Sequence, residues 1–157
     1  MVNVETLRTR VEAAFEDRDL LKTADHDGAV RRTIEELDEG RLRVAEPSDS
    51  PDAVNGWVVH GWVQKAVVLY FSVAEMGTCV LASVTGSLSL SHPLGAEYHD
   101  KVPLKKGLAK QKVRVVPPGT VRYGSFLEPG CVVMPGYVNI GARVGARTMV
   151  DTWATVG

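Results

Sequence analysis

Cysteine is scarce in this chain. Cys79 and Cys131 are its two thiols, and they stand alone without CxxC spacing. Neither a disulfide framework nor a zinc ribbon is expected from such a pair; two idle thiols in a reducing compartment is the expectation. Long apolar runs are missing as well. The longest candidate, Trp57 to Val73, is interrupted by His60, Gly61, Gln64 and Lys65, so no membrane-spanning helix is expected. Excess charge of either sign is absent: 18 basic and 19 acidic residues leave a net charge of -1, with no electrostatic reason to bind nucleic acid. The first residues, MVNVETLRTRVEAAFEDRD, lack the apolar core of a secretion signal. His26, His60, His92 and His99 form no metal-ligand spacing. The Gly-rich stretches have no strand–GxGxxG–helix context, which excludes a phosphate loop on pattern.

What remains is a globular composition, 45% hydrophobic and 24% charged, of a length suited to one domain or two small ones sharing a core. Charge is unevenly placed. Residues 1–46 hold 20 of the 37 charged side chains; residues 126–157 hold four, Glu128, Arg143, Arg147 and Asp151. The charged part reads as surface helices. Asn3 is placed to cap a helix with Leu7, Val11, Ala14 and Phe15 on one face. Asp27 is placed to cap a second, carrying Val30, Ile34 and Leu37 inward, with Gly40 to end it. EPSDSPDAVNG (46–56) reads as a loop. A third helix is expected from Val59 through Tyr70. Beyond Leu69 the pattern turns to strands: VLYFSV is β-branched and aromatic, and CVLASVTGSLSLS holds a Thr-Gly suited to a hairpin. The polar stretch LGAEYHDKVPLKKGLAKQK reads as a connector.

From Phe126 a six-residue period begins: Phe126, Val132, Val138, Val144, Val150, Val156. Ten of the last 45 residues are valine, and five of the ten fall in this register. Met134, Ile140, Ala146 and Thr152 stand four places before the last four valines, and Gly124, Gly130, Gly136 and Gly145 fall near expected corners. Alternation at two also coincides at six, but an ordinary strand would not tolerate Gly and Pro at every hexad. The pattern is that of a hexapeptide parallel β-helix. Two inward residues per hexad would fill a narrow triangular core, with Val132, Val138, Val144 and Val150 buried in one stacked row. The fold class expected is therefore α+β. A small N-terminal mixed domain with its connector occupies residues 1–112, and a left-handed β-helix begins over 113–157, cut off within fewer than two coils.

Hexapeptide repeats serve many acyltransferases, so the fold alone does not name a substrate. RVVPPGTVRYGSF (114–126), MPGYVNIG (134–141) and MVDTWATVG (149–157) together resemble the tetrahydrodipicolinate N-succinyltransferases. GRLRVAEP (40–47), GWVQKAVVLYF (61–71) and HDKVPLK (99–105) occur upstream in the order that family has them. TCVLASVTGSLSLSHPLG (78–95) matches no family word, and GARVGART (141–148) is more basic than the family's wording. The resemblance covers roughly residues 26–157. It implies a homotrimeric, cytoplasmic enzyme of lysine and diaminopimelate biosynthesis, with active sites between neighbouring β-helices. Succinyl would pass from succinyl-CoA, a co-substrate, to the amine of ring-opened tetrahydrodipicolinate, with no tightly bound cofactor, metal, nucleic acid or membrane. It also implies that Arg114 contacts the substrate and that Asp151 does so beside the reacting amine, as the catalytic carboxylate. The chemistry is coherent: a guanidinium pairs a substrate carboxylate bidentately, and a carboxylate orients or deprotonates an attacking amine. Without the resemblance, Arg114 reads as a surface ion-pair partner and Asp151 as a corner residue satisfying backbone amides. Family members continue through further coils, a second carboxylate and most CoA contacts. The alternative is a catalytically inactive truncated module that only associates with other β-helix subunits. No turnover is expected from residues 1–157 alone.

Overall fold

A computed structural model describes residues 3–80 and 97–157. Three helices come first, α1 (Val4–Glu16), α2 (Ala24–Asp38) and α3 (Gly61–Val73), with a 3₁₀ turn at Arg18–Lys22. Asn3 caps α1 as expected, its Oδ1 accepting from the amides of Glu5 (3.1 Å) and Thr6 (3.2 Å). The cap of α2 falls elsewhere. Thr23 holds that position, and Asp27 lies inside the first turn, where it accepts from Arg31 four residues on at 2.9 Å. The buried stripe is nonetheless the expected one: Val30, Ile34 and Leu37 are all sealed. Gly40, at φ +74°, ends the helix by closing back onto it, its N–H donating to Leu37 and the next N–H to Glu36.

VLYFSV is not a strand. The stripe Trp62, Val63, Ala66, Leu69 and Tyr70 continues at helical spacing against α1 and α2, and residues 68–73 stay in α3. Tertiary packing of one apolar face outweighs the β preference of Val and Phe. The 46–56 stretch is framed by a hairpin, β1 (Ala45–Pro47) against β2 (Trp57–Val59). A second antiparallel pair joins β3 (Gly77–Val80) to β4 (Glu97–Asp100), so the connector begins as a strand. The Thr-Gly turn expected in CVLASVTGSLSLS lies outside the described residues.

From Arg114 the chain becomes a coil of two-residue strands: β5 (Arg114–Val115), β6 (Thr120–Val121), β7 (Phe126–Leu127), β8 (Val132–Val133), β9 (Tyr137–Val138), β10 (Arg143–Val144), β11 (Met149–Val150) and β12 (Thr155–Val156). All their pairings are parallel, in three stacks: β5-β8-β11, β6-β9-β12 and β7-β10. Partners are 17 or 18 residues apart. The second residue of each strand points inward, so Val121, Leu127, Val133, Val138, Val144 and Val150 form the core of the coil. Each such burial stabilises by about 1.5–3 kcal/mol relative to exposure.

The six-residue register holds from Val138 onward and slips by one before it. The corner Met134–Gly136 has three residues, where Val116–Gly119 and Asp151–Ala154 have four. Leu127 and Val133 are therefore the inward residues, and Phe126 and Val132 face out, half-buried. The buried valines also lie in three stacks, not one row. Ile140 faces away from the coil and is sealed within the helical core. In three hexads the second inward place goes to a small residue, Ser125, Cys131 or Ala142. At Gly119 and Gly136 even a Cβ would come within 2.8 Å of a backbone carbonyl.

The helical part is docked on the coil through the end of α2. Lys105, its side chain fully buried, donates to both the carbonyl (2.7 Å) and the carboxylate (2.8 Å) of Asp38. That carboxylate also accepts from the Gly124 amide at 2.9 Å. The ring of Phe126 lies so close under Gly40 that a Cβ there would meet it at 2.6 Å. Arg143 covers the ring at 4.6 Å and donates to the Gly40 carbonyl. Among the described residues no helix is long and apolar enough to cross a membrane.

Candidate active site

The coil presents three outer faces, and the described residues of the N-terminal part occupy two of them. The β7-β10 face meets Gly40 through Phe126 and Arg143. The β6-β9 face meets β4 and α3 through Arg122, which pairs with Asp100 and lies over the rings of Phe71 and Tyr137. The β5-β8-β11 face keeps Arg114, Met149 and Asp151 exposed.

Arg114 opens β5, its backbone in register with Val132 and, one rung further, Met149. Because Val115 and Val150 point inward, Arg114 and Asp151 both project from the outer side of that one sheet. They lie two rungs apart, about 10 Å at ordinary strand spacing, and are offset by two residues along the strand. The structure thus brings both sequence-derived site residues to one face without bringing them into contact.

Their immediate surroundings differ. The exposed Arg114 guanidinium has no hydrogen bond or ion pair among the described residues. Asp151 accepts from the Thr152 amide through Oδ1 at 2.7 Å, so the corner role is real, and Oδ2 has no partner among the described residues. Beside it Trp153 holds φ +59°, a conformation costly for a bulky side chain, with its N–H bound to the Pro135 carbonyl and the residue 78% exposed. Met149 is 61% exposed. An apolar margin of this kind around a carboxylate was not legible from the six-residue count, which treats outward positions alike.

A separate cleft of about 520 Å³ lies among α2, α3, β4 and the β6-β9 face, lined in part by Arg31, Tyr98, Lys101 and Arg122. Its cations are already engaged: Arg31 with Asp27, Arg122 with Asp100 and Asn139, and Lys101 with the Phe71 carbonyl. Neither Arg114 nor Asp151 lines it. Among the described residues no three His, Cys, Asp or Glu side chains converge as metal ligands would.

Comparison with known proteins bears on this geometry. Residues 6–73 match the family described as "Tetrahydrodipicolinate N-succinyltransferase N-terminal". Proteins named 2,3,4,5-tetrahydropyridine-2,6-dicarboxylate N-succinyltransferase align over nearly the whole chain. The Idiomarina loihiensis protein is 42% identical over 98% of this chain and 54% of its own length. The Sodalis glossinidius protein is 39% identical over the same shares. That of a Methylobacterium species is 41% identical over 100% of this chain and 54% of its own. Along nearly its whole length this chain is similar to the tetrahydrodipicolinate N-succinyltransferases. It spans about half the length of the curated relatives it matches. The match to the Methylobacterium protein spans the helices and the coil, Arg114 and Asp151 included.

Proposed function

We propose that this chain is the N-terminal, acceptor-binding half of a cytoplasmic enzyme that moves succinyl from succinyl-CoA to the amine of ring-opened tetrahydrodipicolinate. Its coil is the start of a left-handed β-helix, and the working assembly is a homotrimer with sites between neighbouring coils. What most supports the reading is the exposed pair Arg114 and Asp151 on the outer face that the described residues of the N-terminal part leave open. Arg114 pairs a substrate carboxylate bidentately. Asp151, fixed through Oδ1 by the corner amide, turns its second oxygen to the acceptor amine. The amine attacks the thioester carbonyl, its proton passes to the carboxylate, and the CoA thiolate leaves. No acyl-enzyme is required.

The test uses a protein of the relatives' full length. Asp151→Asn keeps size and one acceptor oxygen but loses the base, and should lower kcat by roughly 10²–10⁴-fold. Its thermal melt should change little. Arg114→Lys keeps charge but loses the planar fork, and should mainly raise KM for the amine substrate. A normal kcat in Asp151→Asn, or a loss explained entirely by unfolding, would return Asp151 to a corner role. It would also favour a module that only associates with other subunits.

A further inference from the structure

The three asparagines of the chain sit in three different chemical situations. Asn139 is held through its oxygen: Oδ1 accepts from Tyr137 Oη (3.1 Å), Arg122 (3.3 Å) and the Ile140 amide (2.9 Å). Asn3 uses its Oδ1 to cap α1. Both are followed by β-branched residues, Val4 and Ile140, which crowd the next amide. Asn55 is followed by glycine. With Gly56 it forms the two-residue tip between Val54 and Trp57, which exchange both backbone hydrogen bonds (2.9 and 3.1 Å). Both tip residues have positive φ, +52° and +76°, the geometry of a type I′ turn. Asn55 and Gly56 are exposed, and the Asn55 side chain and the Gly56 N–H have no hydrogen-bond partner among the described residues. Nothing lies within 4 Å of the place a Gly56 Cβ would take. The turn lies at the end of the 48–56 loop that joins β1 to β2, and the hairpin this loop belongs to is two-stranded and three pairs long, a unit that opens readily.

We propose that Asn55–Gly56 is a site of spontaneous backbone modification, converting to aspartate and isoaspartate. When the tip opens, the deprotonated Gly56 nitrogen attacks Asn55 Cγ. An N–Cγ bond forms, the Cγ–Nδ2 bond breaks, and ammonia leaves with a proton, closing a succinimide. Water then adds to either imide carbonyl. Opening on the side-chain carbonyl leaves an ordinary aspartate in place of Asn55. Opening on the backbone carbonyl gives isoaspartate, whose main chain runs through Cβ and is one carbon longer. Either product adds a negative charge to the tip, and the longer backbone no longer fits a two-residue I′ turn. The change falls at the entry to β2, beside the Pro47–Trp57 pair, at the end of the hairpin opposite the Glu46–His60 pair (2.8 Å) leading into α3.

The experiment ages the folded 157-residue chain at physiological temperature across a neutral-to-alkaline pH series. Each asparagine is read by peptide mapping, with isoaspartate detected by its enzymatic methylation. Asn55 should gain one dalton more than an order of magnitude faster than Asn3 or Asn139. Its rate should rise with pH, because the Gly56 amide must lose its proton to attack. Asn55→Gln should abolish the methylation signal. Retention of Asn55 equal to that of Asn139, conversion only after unfolding in urea, or an undiminished signal in Asn55→Gln would each overturn the proposal.

Discussion

The helical part and the coil bury similar apolar side chains by opposite means, and they differ in what a single residue can upset. In α2 the stripe repeats continuously, so a cap four residues from its expected place leaves Val30, Ile34 and Leu37 buried all the same. Each strand of the coil contributes one inward residue, and the lengths of the corners between strands decide which residue a count of six selects. One residue fewer at Met134–Gly136 is enough to put Leu127 and Val133 inside where the hexad count points to Phe126 and Val132. A continuous period tolerates an error of phase at its ends. A period interrupted by corners passes that error to every rung before it.

The two regions meet at Asp38, so the sharpest break in the comparison is Asp38→Ala. It leaves the fully buried Lys105 ammonium without its carboxylate and should cost about 3–5 kcal/mol in urea unfolding. A loss below about 1 kcal/mol would mean that Lys105 finds water. Leu127→Ala in the coil and Leu69→Ala in α3, both fully buried, should each cost about 2–5 kcal/mol. If the regions form one cooperative unit, both variants shift the same transition; two resolved transitions would separate them. Gly40→Ala places a Cβ in the left-handed region and against Phe126, and should cost about 1–3 kcal/mol. Part of that loss should return with Phe126→Leu. Inserting one residue between Pro135 and Gly136 gives that corner the length of the other two, and should cost no more than about 1 kcal/mol. A collapse of the coil would refute the corner account of register.

The smallest expected effect is a slope. Arg41 and Arg32 hold the buried Glu36 carboxyl below its ordinary pKa of 4.5, with burial opposing them. A depressed folded pKa stabilises above the unfolded value, and that contribution is lost as pH falls through the folded one. Stability should therefore drop below pH 4.5. Glu36→Gln should flatten that acid limb without removing it, because Glu128 is also held low, by Arg143.

Much of the architecture was readable from residue spacing: the Asn3 cap, the α2 stripe, the Gly40 stop and a parallel coil after Arg114. VLYFSV was misread because β propensity is a local signal and the apolar face of α3 is a tertiary one. Ile140 belongs to the coil in sequence and to the helical core in space; no repeat count distinguishes an outward residue facing water from one facing another core. Arg114 and Asp151 were picked out by resemblance, and periodicity contributes only that both flank an inward valine. The exposed Trp153 and the engaged Arg122 depend on corner geometry and on β4, which spacing does not encode.

Every backbone pairing in the coil joins residues 17 or 18 positions apart, whichever rung is considered. Lengthening such a structure therefore never lengthens the loop that must close. Each new rung needs only the one beneath it as a template, and the entropic toll of closure is the same for the last as for the first. The Leu104–Arg122 bridge and the 2.8 Å bond from the Lys105 amide to Val121 secure the first rung of the β6 stack to the segment ahead of it. Assembly of the coil should accordingly run as a zipper from that end, with a rate set by its first turn and nearly independent of how many follow.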